Sequence, residues 1–231
     1  DKQSLLNTMD VLGESLLVIE NNAFSSCSSL TSITLPNTLV SIDYKAFALS
    51  GLTSINIPSS VAKIGTQAFS GCYDLKAITV DANNPSYCDI DGVLCNKTKQ
   101  ILYQYPNAKG SDYEIPNTIT KIEEYAFSLC KDVESLTIPA SVGSIEYRAL
   151  EGCSNLKKIT CLRTSPISAN FAIFCPRTSP SKTPQEVRVS RAWMTTMNIS
   201  THSTTQIRRT VRDSSSAIQP PTPQCLKATS R

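Results

Sequence analysis

The stretch Ile19-Glu20-Asn21-Asn22-Ala23-Phe24-Ser25-Ser26-Cys27-Ser28-Ser29-Leu30-Thr31-Ser32-Ile33-Thr34-Leu35-Pro36 decides how this chain folds. It recurs. Ile42, Ala46-Phe47, Leu52, Ile55 and Ile57-Pro58 form the next copy, one residue shorter. Ile64, Ala68-Phe69, Cys72, Leu75, Ile78 and Val80 follow, and after a gap come Ile122, Ala126-Phe127, Cys130, Val133, Leu136 and Ile138-Pro139. A last copy runs Ile145, Ala149-Leu150, Cys153, Leu156, Ile159, Cys161. The closing apolar positions Leu12, Leu35, Ile57, Val80, Ile115, Ile138 and Cys161 lie 23, 22, 23, 35, 23 and 23 residues apart. A fixed period of this length is the mark of a stacked repeat.

Within one copy, Leu30, Ile33 and Leu35 point one way on a short extended segment. Pro36 ends it, because proline cannot donate to a ladder. The Ile-x-x-x-Ala-Phe half returns the chain over the same interior. A single coil has almost nothing to bury its apolar side against, whereas stacked coils share one continuous core and pair their short strands in parallel. Helical repeats are excluded, since prolines and β-branched residues punctuate every copy. The expectation is a leucine-rich-repeat solenoid over residues 1–161, with about seven coils and a curved parallel β-sheet of some seven strands. Short turns and irregular coil form its other side.

The 35-residue step is the irregular coil, residues 81–115. Asp91-Gly92 between Ile90 and Val93 reads as a two-residue hairpin turn, since glycine tolerates the positive φ required. One inserted β-hairpin projecting from the solenoid edge is expected there. The turn sets Cys88 opposite Cys95, within the Cα separation a disulfide needs, so a disulfide between them is a candidate. Against it stands the hydrogen-bonded character of that pair.

The Ala-Phe-x-x-Cys-x-x-Leu-x-x-Ile-x-Ile/Leu-Pro copies, with the insert Asn83-Asn84-Pro85…Ile90-Asp91-Gly92-Val93-Leu94…Tyr105-Pro106…Ile115-Pro116, resemble the BspA-like leucine-rich-repeat family. That resemblance covers about 150 residues. It implies display at the cell surface or secretion, adhesion to host proteins or cells, and no catalytic activity. It does not name a partner.

Asp89-Ile90-Asp91-Gly92-Val93-Leu94 also looks like the nucleophile motif of haloacid-dehalogenase-type phosphatases, where paired carboxylates hold magnesium. That chemistry needs a buried strand before the motif, and Asn83-Asn84-Pro85-Ser86 stands there instead. His202 is the sole histidine and no glycine-rich phosphate loop exists. No enzyme, cofactor or metal site is expected. Cys27, Cys72, Cys130 and Cys153 share one repeat position and read as a buried file of small packing residues.

Outward strand positions are Ser32, Thr34, Ser54, Asn56, Thr79, Ser135, Thr137, Lys158 and Thr160, with Ala77 beside Thr79. Together they make a flat, hydroxyl-rich face, a platform for a protein or glycan ligand or else a solvated surface. A spacer repeat without its own ligand is the alternative. Asn96-Lys97-Thr98 and Asn198-Ile199-Ser200 are glycosylation sequons if the chain is secreted.

Charge divides the chain. Residues 1–161 hold 12 Lys/Arg against 17 Asp/Glu, and residues 162–231 hold 10 against 2. The latter also carry 22 Ser/Thr, 7 Pro and 8 Arg, a composition that favours disorder. This basic tail, with Arg208-Arg209, nearly lacks stacking aromatics, and no nucleic-acid partner is expected. The family-like pattern continues to about Ile173 and then residue usage changes abruptly, so a shifted reading frame is the expectation for the tail. With no recognisable cap after Cys161, the chain reads as a fragment or disrupted gene product. No segment has the length of an apolar membrane helix and no signal peptide opens the chain, so membrane attachment is expected only through parts outside it.

Overall fold

In the computed structural model the described residues are 15–162 and the backbone of 185–188, all within the unit Asp1–Asn198. They form a β-solenoid of about six turns with no helix among them. Leu12 of the expected first coil lies outside the described residues.

Each regular coil has a two-residue strand on its return half. These are β1 (Val18–Ile19), β2 (Ser41–Ile42) and β4 (Lys63–Ile64), then β10 (Lys121–Ile122) and β12 (Ser144–Ile145). The other half carries β3 (Ser54–Ile57), β5 (Ala77–Val80), β9 (Asp112–Glu114), β11 (Ser135–Ile138) and β13 (Lys158–Cys161). Neighbours pair in parallel with the repeat register, for example Ile19↔Ile42, Ile55↔Ile78 and Leu136↔Ile159. Alternation follows, with Ile55 and Ile57 buried and Ser54 and Asn56 exposed.

Two residues per coil take the left-handed conformation at fixed places. One file is Asn22, Lys45, Gln67, Tyr125 and Arg148; the other is Ser26, Leu49, Gly71, Leu129 and Gly152. These positions turn the chain around the Ala-Phe pair and aim its amides at the next coil. Phe24 stacks on Phe47 and Phe47 on Phe69, with ring centroids 5.2 and 5.7 Å apart. Tyr105 takes the Phe position in the irregular coil and stacks on Phe127 at 5.0 Å.

Three findings correct the sequence expectations. First, the outward sheet is not continuous. β3 pairs only with β5, and β9, β11 and β13 form a separate sheet. The extended segment through Leu35 is not a strand, although the Thr31 carbonyl accepts the Thr53 N–H at 3.0 Å.

Second, the hairpin does not project. β6 (Tyr87–Ile90) and β7 (Val93–Asn96) pair antiparallel, and β7 continues to β8 (Ile101–Gln104). Val93 and Cys95 pack with the C-terminal core, while Leu94 packs with the N-terminal core. An apolar residue on both faces makes β7 a septum between two cores, and burial of both faces keeps it inside. Asn84 anchors the insert. Fully buried, it donates from Nδ2 to the Pro58 and Val61 carbonyls at 2.9 Å each and accepts the Ser86 and Tyr87 amides at 2.9 and 2.8 Å.

Third, the solenoid does not end bare at Cys161. β14 (Gln185–Arg188) lies antiparallel against β13, with Lys158↔Arg188 and Cys161↔Gln185. It occupies the ladder edge that β13 would otherwise leave open. Apart from β14, the tail and its expected disorder or frame shift lie outside the described residues, as do His202 and the Asn198 sequon.

Candidate ligand face

The register brings the outward residues together in two patches. On one, Ser54 lies beside Ala77 and Asn56 beside Thr79, whose hydroxyl donates to Asn56 Oδ1 at 3.1 Å. On the other, Ser135 lies beside Lys158 and Thr137 beside Thr160. Ser32 and Thr34 are exposed but precede β3 outside any strand.

Between the patches sits the hairpin tip. The Gly92 carbonyl accepts the Ile78 N–H at 2.8 Å, and a side chain at Gly92 would strike the Ala77 Cβ at 2.8 Å. Asp91 and Gly92 both have positive φ, 50° and 74°, as the turn reading requires. Asp91 is exposed and ion-paired with Lys109 at 2.7 Å, which holds its carboxyl below the usual range.

β9 adds two acidic residues that the sequence reading passed over. Asp112 lies beside Ser135 and Glu114 beside Thr137, and both are exposed. The Ser135 and Ser111 hydroxyls donate to Asp112 and depress its carboxyl. The face is therefore small and hydroxyl-bearing at its ends and acidic at its centre. The period marks this strand through Ile115, but Tyr113 stands where other copies have Leu or Ile and hides which residues alternate outward.

The phosphatase reading fails here on local chemistry as well as fold. Asp89 Oδ1 accepts the Val80 N–H at 3.0 Å and Oδ2 accepts the Gly92 N–H at 3.1 Å. Its carboxylate is spent on the hairpin, and the doubly wound sheet that motif requires is absent among the described residues. No group of His, Cys, Asp and Glu there is arranged to hold a metal ion.

Cys88 and Cys95 do face each other in register, as free thiols. The Cys88 thiol donates to the Asn96 carbonyl at 3.0 Å, and burial pushes the Cys95 thiol up to about 12. Cys161 is disulfide-bonded. Asn96 of the sequon donates to Thr98 Oγ1 at 2.7 Å and accepts the Gln100 and Ile101 amides, so its side chain shapes the β7–β8 turn.

This architecture, parallel strands on short repeating coils with an apolar-lined interior and a polar outer face, defines a leucine-rich-repeat β-solenoid. The BspA-type leucine-rich repeat region, in six copies, matches residues 3–90 and 99–210, and the chain belongs to that family. The match runs well beyond Cys161, where the sequence reading ended the repeats. No curated protein matches the chain. Among solved structures, a leucine-rich cell-surface protein of Faecalibacterium prausnitzii is similar at 37% identity and a TM-score of 0.57, covering 63% of this chain and 39% of that one. The pneumococcal vaccine antigen PcpA is similar at 28% identity and a TM-score of 0.60, covering 65% and 38%. The chain thus spans about two fifths of the length of these relatives.

Proposed function

We propose that this chain is the binding segment of a protein displayed at the cell surface or secreted, acting without catalysis as an adhesion module. Its outer sheet face engages a protein or glycan partner. The observation that carries this reading is the registered file of short polar side chains, Asn56 and Thr79 on one patch and Ser135 and Thr137 on the other. Extended concave or flat faces of solenoids are where such proteins bind. The relative described as a cell-surface protein supports the compartment. No helix among the described residues is long and apolar enough to cross a membrane, so attachment would come from elsewhere in the protein.

The test is capture of host-cell or matrix preparations by the purified chain, compared with Asn56→Lys and Thr137→Arg variants of unchanged melting temperature. Loss of capture by at least tenfold supports the face. Unchanged capture moves binding off it, and no capture by any form makes the segment a spacer.

A further inference from the structure

The insert leaves a break on the return half of the coils, separate from the sheet face. In a regular coil alternate amides reach the next coil: Lys45, Phe47 and Leu49 donate to Thr66, Ala68 and Ser70 carbonyls at 3.3, 2.8 and 2.9 Å. Tyr125, Phe127 and Leu129 do the same to Tyr147, Ala149 and Glu151 at 3.3, 2.7 and 2.7 Å. The equivalent amides of the third coil are Gln67, Phe69 and Gly71. The coil beyond them is the irregular one, whose β8 pairs with β7 and β10 and not with β4. These three N–H groups therefore have no acceptor among the described residues, although Phe69 and Gly71 are buried. Buried amides are almost always satisfied, so such a row points to something that sits beside it.

A cavity of about 120 Å³ lies beside the first two of them, with Gly71 at its end against Leu49 and Leu129. Gln67 and Phe69 line one wall, and Tyr103, Leu94, Glu123 and Glu124 line the rest. Glu123 is ion-paired with Lys121 at 2.6 Å, whereas Glu124 has no ion pair among the described residues and is exposed at the mouth. The two walls ask for opposite chemistry. An anion would suit the amides but meet the carboxylates, and a cation would suit the carboxylates but meet the amides. A hydroxyl group satisfies both, accepting from an N–H and donating to a carboxylate. Adjacent hydroxyls on an apolar ring also suit the Tyr103 ring and the Leu94 side chain, since pockets combine an apolar lining with a few placed polar groups.

We infer that this seam is a binding site for a single sugar residue, as presented at the end of a glycan. Water is the competing occupant, because a polar cavity of this size holds several molecules. The experiment follows the Gln67, Phe69 and Gly71 amides by ¹⁵N NMR of the full chain. Methyl β-galactoside, methyl α-mannoside and methyl β-N-acetylglucosaminide are titrated in turn, with acetate and methylammonium as charged controls. A saturable shift of these amides with at least one glycoside is expected. It should weaken at least tenfold in Glu124→Ala and vanish in Thr66→Trp, which closes the mouth, while amides elsewhere stay put. No saturable shift with any of the three glycosides, a shift with acetate or methylammonium instead, or shifts unaffected by both substitutions would overturn the assignment. Since neither substitution touches the sheet face, capture through that face stands or falls separately.

Discussion

The thiol of Cys153 donates to the carbonyl oxygen of Phe127, one coil earlier, at 3.0 Å. Cys72 does the same to Phe47 at 3.0 Å, and Cys130 to Tyr105 at 3.7 Å. The cysteine file is thus more than packing. It supplies a second donor to a carbonyl that already accepts a backbone amide, Ser50 N–H on Phe47 and Cys130 N–H on Phe127, each at 3.1 Å. Ser50 holds the same place in the shortened coil, and its hydroxyl lies 3.3 Å from Cys72 Sγ. Cys72→Ala and Cys153→Ala are each expected to cost about 0.5–1.5 kcal/mol, the loss of one hydrogen bond to a carbonyl that keeps its backbone donor. Cys153→Ser, following Ser50, is expected to cost less than Cys153→Ala. Urea unfolding of the four proteins checks this, and equal losses for Ala and Ser would show that only volume matters.

Alkali should unfold the solenoid from within. Burial pushes the Cys95 and Cys153 thiols from 9.0 up to about 12, raises Cys72 and Cys130, and raises the Tyr105 and Tyr113 phenols. A raised value means that the folded state holds the proton more tightly than the unfolded chain. The stability linked to it is complete below about pH 9 and drains as the pH climbs towards the folded values. Melting temperature under reducing conditions should therefore be flat from pH 7 to about 8.5 and fall steeply above about 9.5. A fall beginning at neutral pH would contradict this.

The sequence carried the coil register, the turn at Asp91-Gly92, the pairing of Cys88 with Cys95 and most of the outward face, because each depends on local period and alternation. It did not carry the fate of the hairpin, although a sign was present: Val93, Leu94 and Cys95 are a continuous apolar run, which suits a strand buried on both sides. The outward residues of β9 were hidden by Tyr113, and β14 by the absence of the repeat pattern. The amides of Gln67, Phe69 and Gly71, unpaired among the described residues, could not be read at all. Their lack of acceptors depends on which strand lies next to them, a tertiary outcome with no local signature.

Asn84 should be the least replaceable polar residue of the insert. Its amide closes four hydrogen bonds that join the end of the 58–61 turn to the start of β6. Asn84→Ala takes their partner from the Val61 carbonyl and the Ser86 and Tyr87 amides, while the Pro58 carbonyl keeps the Val61 N–H at 3.3 Å, an expected loss of about 3 kcal/mol. Asn84→Asp should be worse at pH 7, since a carboxylate would face the Pro58 and Val61 carbonyls. Hydrogen exchange in β6 and β7 reports it, and protection unchanged in both variants would sink this role.

Close stacking of coils sets a sharper limit at one glycine than at another. A Cβ at Gly51 would lie 2.1 Å from the Ser28 carbonyl oxygen, a backbone atom that cannot rotate aside. The shortened coil passes so near its neighbour that the Gly51 N–H donates to the Cys27 carbonyl at 3.2 Å. At Gly143 the only contact a Cβ would make among the described residues is with the Thr120 carbonyl oxygen at 3.6 Å, ordinary packing distance. Gly51→Ala is therefore expected to force the first two coils apart, costing about 3 kcal/mol or more, at the severe end for a single substitution. Gly143→Ala should be neutral or stabilise by up to about 1 kcal/mol, because it restricts only the unfolded chain. Thermal unfolding of the two variants side by side decides it. Equal effects would mean that the coils can slide to admit a methyl group, and that the one-residue deletion does not fix their spacing.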